Sequence, residues 1–273
     1  MDEIVRTLST PAIIAAIEAN FAEEMAAFGR HLPDAELHEE AEMRWFYTGL
    51  PTSGFNGVLC THITGDDIDA KIDRVIAYFR TRHVPFSWAI GPTTLPINLA
   101  HYLKARGFTH IHDGTGMAVD VQTLPEGITT PANFRVEEVR NLDMLQTYST
   151  TSMKGFSSTE EYMRIYSDTY RAIGFTENSP WHHYIGLLHD EPVAVSSLLL
   201  HAGVAGIYGV ATIPEARRLG IGAAMTLAPL REAHLRGYRI GVLSPSEMGL
   251  SMYKRLGFRT YCTMSFYKLT LEG

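Results

Sequence analysis

The order of apolar and polar positions divides the chain into alternating helical and extended stretches. From Thr10 to about Gly29, apolar residues recur at three- and four-residue spacing, with Thr10 placed as N-cap and Pro11 at the first helical position. "RWFYTGL" and "NGVLCTHI" read as strands. They are followed by the helix "DDIDAKIDRVIAYFR", the strand "VPFSWAIG", the short helix "LPINLAHYLKARGF" and the strand "TGMAVDV". Beyond these, "FRVEEVR" reads as a strand and "STEEYMRIYSDTYRAIGF" as a helix capped by Ser158, with Glu161 at the capping-box position. "WHHYIGLLHDEPVAVSSLLLH" predicts a hairpin turning at Asp190 to Pro192, and "AGIYGVATIP" a further strand. A helix reaching about Arg236 then leads into the strand "YRIGVL", the short helix "SEMGLSMYKRLGF" and a final strand "YCTMSFYKLTL".

Both halves therefore end on the same series: helix, strand, short helix, strand. This is the pattern of a diverged internal repeat of domain size. The break falls in "TLPEGITTPANF", where two prolines and a glycine interrupt the periodicity. The expected domains are residues 1–124 and 132–273. Strands and helices alternate around mixed, mostly antiparallel central sheets flanked by helices, an α/β (α+β) fold class.

Composition narrows the reading. A length of 273 residues at 45% hydrophobic content supplies real cores. The formal net charge of −7 argues against a nucleic-acid groove and suits a cationic substrate. Cys60 and Cys262 are far apart in sequence and form no disulfide framework. The start, "MDEIVRTLST", lacks the basic and apolar regions of a signal peptide, and no apolar run is long enough to cross a bilayer. The expectation is a cytoplasmic protein with no membrane or nucleic-acid partner; the oligomeric state is not legible.

The candidate chemistry sits in "ATIPEARRLGIGAAM", Ala211 to Met225. Pro214 ends a strand and a helix begins around Leu219. The first amides of that helix have no carbonyl partner and lie at the positive end of its dipole. Across Leu219, Gly220, Ile221, Gly222 and Ala223, two glycines let an anion approach bare backbone, while Arg217 and Arg218 add positive charge. The plainer alternative is a tight strand-to-helix turn with two solvated arginines. A P-loop needs Lys-Ser/Thr after its last glycine, and here Ala223 and Ala224 follow. A dinucleotide fingerprint needs a third glycine where Met225 stands and an acidic residue where the next strand ends on Ser244 and Pro245.

Taken together, "VATIPEARRLGIGAAM" and "SEMGLSMYKRLGF" resemble the acetyl-CoA signature of the GNAT acyltransferase superfamily. Arg217-x-x-Gly220-x-Gly222 matches its pyrophosphate loop. Tyr253, four residues before Gly257-Phe258, matches its C-terminal tyrosine. The resemblance is strong from about Phe134 to Leu271 and weaker over the first half. It implies acetyl-CoA as cosubstrate and an amine acceptor that it does not name; the expected acceptor is a primary amine of a small molecule. It also implies that Val210 and Thr212 pair with the pantetheine arm. Ser246 stands where many members carry an asparagine that touches that arm.

Gly209 interrupts its strand, where a glycine often marks a bulge. A bulge there frees the Val210 amide to bond a thioester oxygen; close packing is the other reading. The Tyr253 phenol is a reasonable acid toward a departing thiolate, although most tyrosines in such helices only pack. No general base is legible. Alternation puts His182 and His183 on opposite faces of their strand. These two, and His110 with His112, lack further ligands at a recognised spacing, so no metal is expected. Trp45, Phe46 and Tyr47 read as a buried strand rather than an acceptor pocket.

The rival reading is a non-catalytic acyl-CoA-binding or regulatory module on the same scaffold. In the first half, Asp66 and Asp67 stand where the second half has its Arg-Gly loop, and Leu103 stands in place of Tyr253. Carboxylates at a helix start satisfy its amides and repel a pyrophosphate. That half is expected to bind no CoA and to serve as a scaffold or as one wall of the acceptor site.

Overall fold

In the computed structural model, which describes residues 3–270, the first half of the chain runs α1 (Thr10–His31), β1 (Glu36–Glu39), β2 (Met43–Tyr47), β3 (Gly57–Thr61), α2 (Ile68–Thr81), β4 (Phe86–Ile90), α3 (Leu99–Ala105) and β5 (Thr109–Asp120). The second half runs β6 (Phe134–Glu138), α4 (Leu142–Phe156), α5 (Glu160–Ile173), β7 (Trp181–Leu188), β8 (Glu191–His201), β9 (Val204–Thr212), α6 (Ile221–Leu235), β10 (Ile240–Leu243), α7 (Glu247–Arg255) and β11 (Arg259–Leu269). Leu271, the last residue of the expected final strand, lies outside the described residues. No helix among the described residues is long and apolar enough to cross a membrane.

Contacts gather the chain into two units whose limits are not those of residues 1–124 and 132–273. One comprises the chain up to Asn20 together with Gly116–Tyr261; the other comprises Phe21–Thr115 together with the chain from Cys262 onward. The reason is strand pairing. The last strand of the first half, β5, pairs antiparallel with β10, from Ile240 opposite Asp120 to Leu243 opposite Met117. The last strand of the chain, β11, pairs antiparallel with β4, from Ser265 opposite Ile90 to Leu269 opposite Phe86. Each half thus ends in the element that its periodicity predicts, but the two final strands are exchanged. Alternation identifies a strand and its buried face, not its neighbour.

The unit containing Gly116–Tyr261 has the strand order β5-β10-β9-β8-β7-β6. All its pairs are antiparallel except β10 with β9. Its core joins Leu198, Ala205 and Ile207 of the sheet to Ile221, Met225, Leu227 and Leu230 of α6. The other unit has the order β1-β2-β3-β4-β11, again with one parallel pair, β3 with β4. Trp45, Trp88 and Phe86 pack there against Ile72, Phe79 and Leu103. Trp45 and Phe46 are buried, as a strand reading of that aromatic run requires.

Local signals are mostly where expected. Two departures matter. The helix α5 is capped by Thr159, whose side chain accepts from the Tyr162 amide at 3.2 Å, not by Ser158. The helix α4 lies where the periodicity predicts no element; its N-cap is Asn141, whose side chain accepts from the Met144 amide at 2.9 Å. It buries Leu145, Tyr148, Thr151 and Ser152, an apolar and small-polar stripe too short of aliphatic residues to stand out by hydrophobicity.

Candidate functional site

The site begins where β9 parts from β10. The two parallel strands pair only at Ala205 and Gly206, opposite Gly241 and Val242, whereas β9 runs on to Thr212. From Ile207 onward the β10-facing edge of β9 is therefore not in the ladder, which leaves a wedge with backbone donors and acceptors along one wall. On its other edge β9 carries a bulge. Tyr208 stands opposite Ser197 and Ala211 opposite Val195, so Gly209 and Val210 together face the single residue Ser196. Gly209 has φ +58°, a conformation in which glycine alone is unstrained. Of the two readings open for this glycine, bulge or close packing, the bulge is present.

The loop after β9 has a conformation set by several residues. Pro214 to Ala216 form a short turn, Arg218 has φ +63° and Gly220 is the N-cap of α6 with φ +77°. A Cβ on Gly220 would collide with the carbonyl oxygen of Thr129, so this glycine is required by the turn and by the segment lying against it. Gly222 has a different surrounding. A Cβ there would lie 3.4 Å from Met252 Sδ and 3.8 Å from Thr212 Oγ1, which brings β9, α6 and α7 together at the helix start. The first residues of α6, Ile221, Gly222 and Ala223, carry the amides that no helical carbonyl can reach. Arg217 is occupied with backbone: its Nε donates to the Thr212 carbonyl at 3.1 Å and a terminal nitrogen to the Gly155 carbonyl at 2.9 Å. It ties the ends of β9 and α4 to the loop. Arg218 and Leu219 are exposed.

Tyr253 lies on α7 and is buried, with its ring edge-on to Phe258 at 5.8 Å. Its hydroxyl is hydrogen-bonded to Thr226, whose own hydroxyl donates to the Gly222 carbonyl at 3.0 Å. Burial pushes the phenol up to about 12, and the bond with Thr226 pulls the other way. Ser246 caps α7, its Oγ accepting from the Gly249 amide at 3.3 Å. This explains a serine at that position independently of any ligand.

His182 and His183 do point to opposite faces. His182 Nδ1 is 2.7 Å from Glu138 Oε1, and its Nε2 is 3.1 Å from an Arg236 guanidinium nitrogen. Both its nitrogens are engaged, beside a cavity of about 340 Å³ that Arg140, Phe175, Trp181 and Glu232 also line. That cavity faces the C-terminal end of α6, some ~20 Å along the helix from Gly222 at 1.5 Å per residue. His183 is wholly buried; its Nδ1 is 2.8 Å from Ser197 Oγ and its Nε2 has no hydrogen-bond partner. Burial, helped by the neighbouring His182, pushes it down to about 3. His110 pairs with Asp113 at 2.8 Å, and His112 stacks on Phe266. No group of three or more His, Cys, Asp or Glu side chains among the described residues is arranged to hold a metal.

The depressed His183 has a consequence for stability. An unfolded histidine titrates near about 6.5, whereas the folded one stays neutral down to about 3. Below about pH 6.5 the unfolded chain takes up a proton that the folded chain refuses. The contribution is complete above that pH and is lost as the pH falls, at roughly 1 kcal/mol per pH unit for one group. Urea unfolding between pH 6.5 and 5, above the main carboxylate titrations, should show this slope in the wild type and a shallower one in His183→Gln. Equal slopes would mean that His183 protonates in place.

The other unit has the same plan with its wedge closed. β3 pairs with β4 only at Gly57 and Val58, and β3 carries a register shift opposite Arg44/Trp45. Beyond Val58, however, the segment after β4 lies along β3: the Leu95 amide donates to the Thr61 carbonyl at 2.9 Å and the Ile63 amide to the Leu95 carbonyl at 3.0 Å. Trp88 Nε1 donates to Thr61 Oγ1 at 2.9 Å. Asp67 is the N-cap of α2 but makes no side-chain capping bond. It pairs with Lys71 at 2.8 Å, which differs from the expected capping of the free amides by its carboxylate. Leu103 is fully buried.

Comparison with known proteins bears on the fold. Residues 190–261 match the family model described as an acetyltransferase (GNAT) domain. No curated protein matches the chain. Among solved structures, a GCN5-related N-acetyltransferase from Kribbella flavida aligns over 92% of this chain and 96% of its own at TM-score 0.69 and 17% identity. A tandem GNAT protein from the clavulanic acid biosynthesis pathway aligns over 97% and 95% at TM-score 0.64 and 14% identity. A GCN5-related N-acetyltransferase from Sphaerobacter thermophilus aligns over 98% and 95% at TM-score 0.63 and 14% identity. The fold is that of tandem GNAT proteins.

Proposed function

We propose that this chain is an acetyl-CoA-dependent N-acyltransferase that acylates a primary amine of a small molecule by direct attack on the thioester, with the chemistry carried by the unit containing Gly116–Tyr261. The observation that carries the reading is the open edge of β9 beyond Gly206, with a bulge at Gly209 and Val210 on one side and the glycine-bearing start of α6 beside Tyr253 on the other. The residues present fit acetyl-CoA. Val210 and Thr212 offer backbone groups to an extended pantetheine arm, and the amides from Leu219 to Ala223 offer a positive terminus to the pyrophosphate. Arg218 adds charge from the exposed loop, and Arg217 fixes the loop through Thr212 and Gly155.

Bound there, acetyl-CoA supplies an activated acyl group. The Val210 amide, displaced from the ladder by the bulge, is placed to bond the carbonyl oxygen as negative charge develops on it. Tyr253 keeps its proton across the physiological range and would turn it from Thr226 to the departing sulfur. With a pKa of about 12 against about 8.5 for a thiol, it acts by donating a hydrogen bond more than by surrendering its proton completely. A screen for thiol release from acetyl-CoA against amines, amino acids and aminoglycoside-like compounds tests the function. Tight CoA binding with no acceptor-dependent thiol release across that panel would favour the non-catalytic acyl-CoA-binding module.

The closed wedge in the other unit supports one CoA per chain. Calorimetric titration should give a stoichiometry near one. Gly222→Asp in the Gly116–Tyr261 unit should weaken that single transition by roughly a hundredfold or more. Two equivalent sites per chain would mean that the segment around Leu95 yields to the ligand.

A further inference from the structure

The chain holds a buried polar line that the reading above does not use. His183 Nδ1 is 2.8 Å from Ser197 Oγ, and Ser197 Oγ is 2.8 Å from the Tyr148 hydroxyl. That hydroxyl stands over the bulge: a Cβ on Gly209 would lie 3.2 Å from it, with no other described atom beyond the flanking residues within 4 Å. Tyr148 and Ser197 are fully buried, and Tyr148 reaches the sheet from α4. Three consecutive polar side chains in a protein interior, ending over the one residue whose backbone leaves the ladder, need a physical reason.

The direction of the line follows from the unpartnered Nε2 of His183. The imidazole is neutral, so one ring nitrogen carries a hydrogen and the other a lone pair. If Nε2 carried the hydrogen, a buried N–H would be left without an acceptor, the rarer and costlier kind of orphan. The hydrogen therefore sits on Nδ1 and is donated to Ser197. Ser197, already an acceptor from His183, donates its own hydrogen to the Tyr148 oxygen. The phenolic hydrogen of Tyr148 then points away from Ser197. Tyr170 is also in hydrogen-bonding contact with Tyr148. A carbonyl oxygen gaining negative charge at the bulge is a stronger acceptor than a phenol. Burial pushes Tyr148 up to about 12, so the donor stays protonated.

We propose that Tyr148 is a second hydrogen-bond donor to the thioester carbonyl, opposite the Val210 amide, and that Ser197 and His183 are positioning residues that orient its hydroxyl. The proposal rests on the acetyl-CoA reading of the same unit. As the amine nitrogen bonds the carbonyl carbon, the C=O electron pair moves onto oxygen, where Val210 and Tyr148 receive it. The pair returns as the carbon–sulfur bond breaks and the thiolate leaves toward Tyr253, while the nitrogen gives its proton to solvent.

The test is the infrared band of the carbonyl in acetyl-CoA labelled with carbon-13 at that carbon, bound to the full-length protein without acceptor. A donor at the oxygen lowers the stretching frequency. In Tyr148→Phe the band should move to higher frequency, with acetyl-CoA affinity by calorimetry within about twofold of wild type, since a single ground-state bond is a minor part of a large ligand's binding. Ser197→Ala should broaden the band and shift it the same way, and Ser197→Thr, which keeps the hydroxyl, should restore it. Tyr166→Phe on α5 should leave it unmoved. If Tyr148→Phe fails to fold, the Ser197 pair carries the same comparison. A band identical in wild type, Tyr148→Phe and Ser197→Ala, with acetyl-CoA bound in all three, overturns the role of Tyr148 and leaves the acyltransferase reading intact. A wild type that binds no acetyl-CoA overturns both.

Discussion

Tyr253→Phe is expected to lower kcat by roughly a hundredfold or more while CoA affinity stays within about twofold. The substitution keeps the ring, which is buried edge-on to Phe258, and removes only the hydroxyl shared with Thr226. Thr226 loses little, because its own hydrogen is committed to the Gly222 carbonyl. The folded state is therefore nearly preserved, and the loss falls on the step in which charge appears on sulfur. Because burial holds the phenol near 12, its ionisation should put no limb on the wild-type pH–rate profile below about pH 11. Steady-state kinetics at saturating acetyl-CoA measure the effect. Undiminished turnover would mean that water receives the leaving thiolate and that Tyr253 only packs.

Gly222→Asp is expected to weaken CoA binding by roughly a hundredfold or more, about 3 kcal/mol, without lowering the melting temperature. Gly220 is the poorer place for this test. Its left-handed backbone and the Thr129 carbonyl oxygen make every side chain there disruptive, so lost binding at Gly220 would report a broken turn. At Gly222 the nearest atoms a side chain would meet are those of the Met252 end and Thr212 Oγ1, none closer than 3.4 Å, and a flexible methionine end can give way. A carboxylate in the first turn of α6 stabilises the helix through its dipole, as an acidic N-terminus does in general. The same carboxylate lies where a pyrophosphate would approach. Stability and binding should therefore move apart, which calorimetry and thermal unfolding read separately. Unchanged CoA affinity would remove the anion from the start of α6.

The residues most legible in the sequence were those whose role depends on near neighbours. The turn and helix start around Gly220, the bulge at Gly209 and the opposed faces of His182 and His183 follow from glycine's missing Cβ and from strand alternation. All three are present. Ser246 shows the limit of the method: a serine opening a helix caps it, and that use is visible from spacing, whereas contact with a ligand arm is not. Arg217 shows another. An arginine beside a glycine turn suggests an anion, but its guanidinium is taken by the carbonyls of Thr212 and Gly155, one of them on a helix far away in sequence.

What the sequence determined by itself is most of the elements and their repetition, β1 and α4 excepted, because helix and strand periods, caps and turn residues act over a few positions. It also determined which half keeps the glycine loop and the tyrosine. Only the tertiary structure decided which strand lies beside which. β5 and β11 carry similar alternation, and nothing in that alternation says that each completes the other half's sheet. Tertiary structure likewise decided that the segment around Leu95 closes one wedge while the edge of β9 stays open, and that Tyr148, on a helix with little hydrophobic signal, brings its hydroxyl to the bulge with Ser197 and His183 bonded behind it. Such contacts join residues tens of positions apart, where the free energy depends on packing and hydrogen-bond partners that no local pattern encodes.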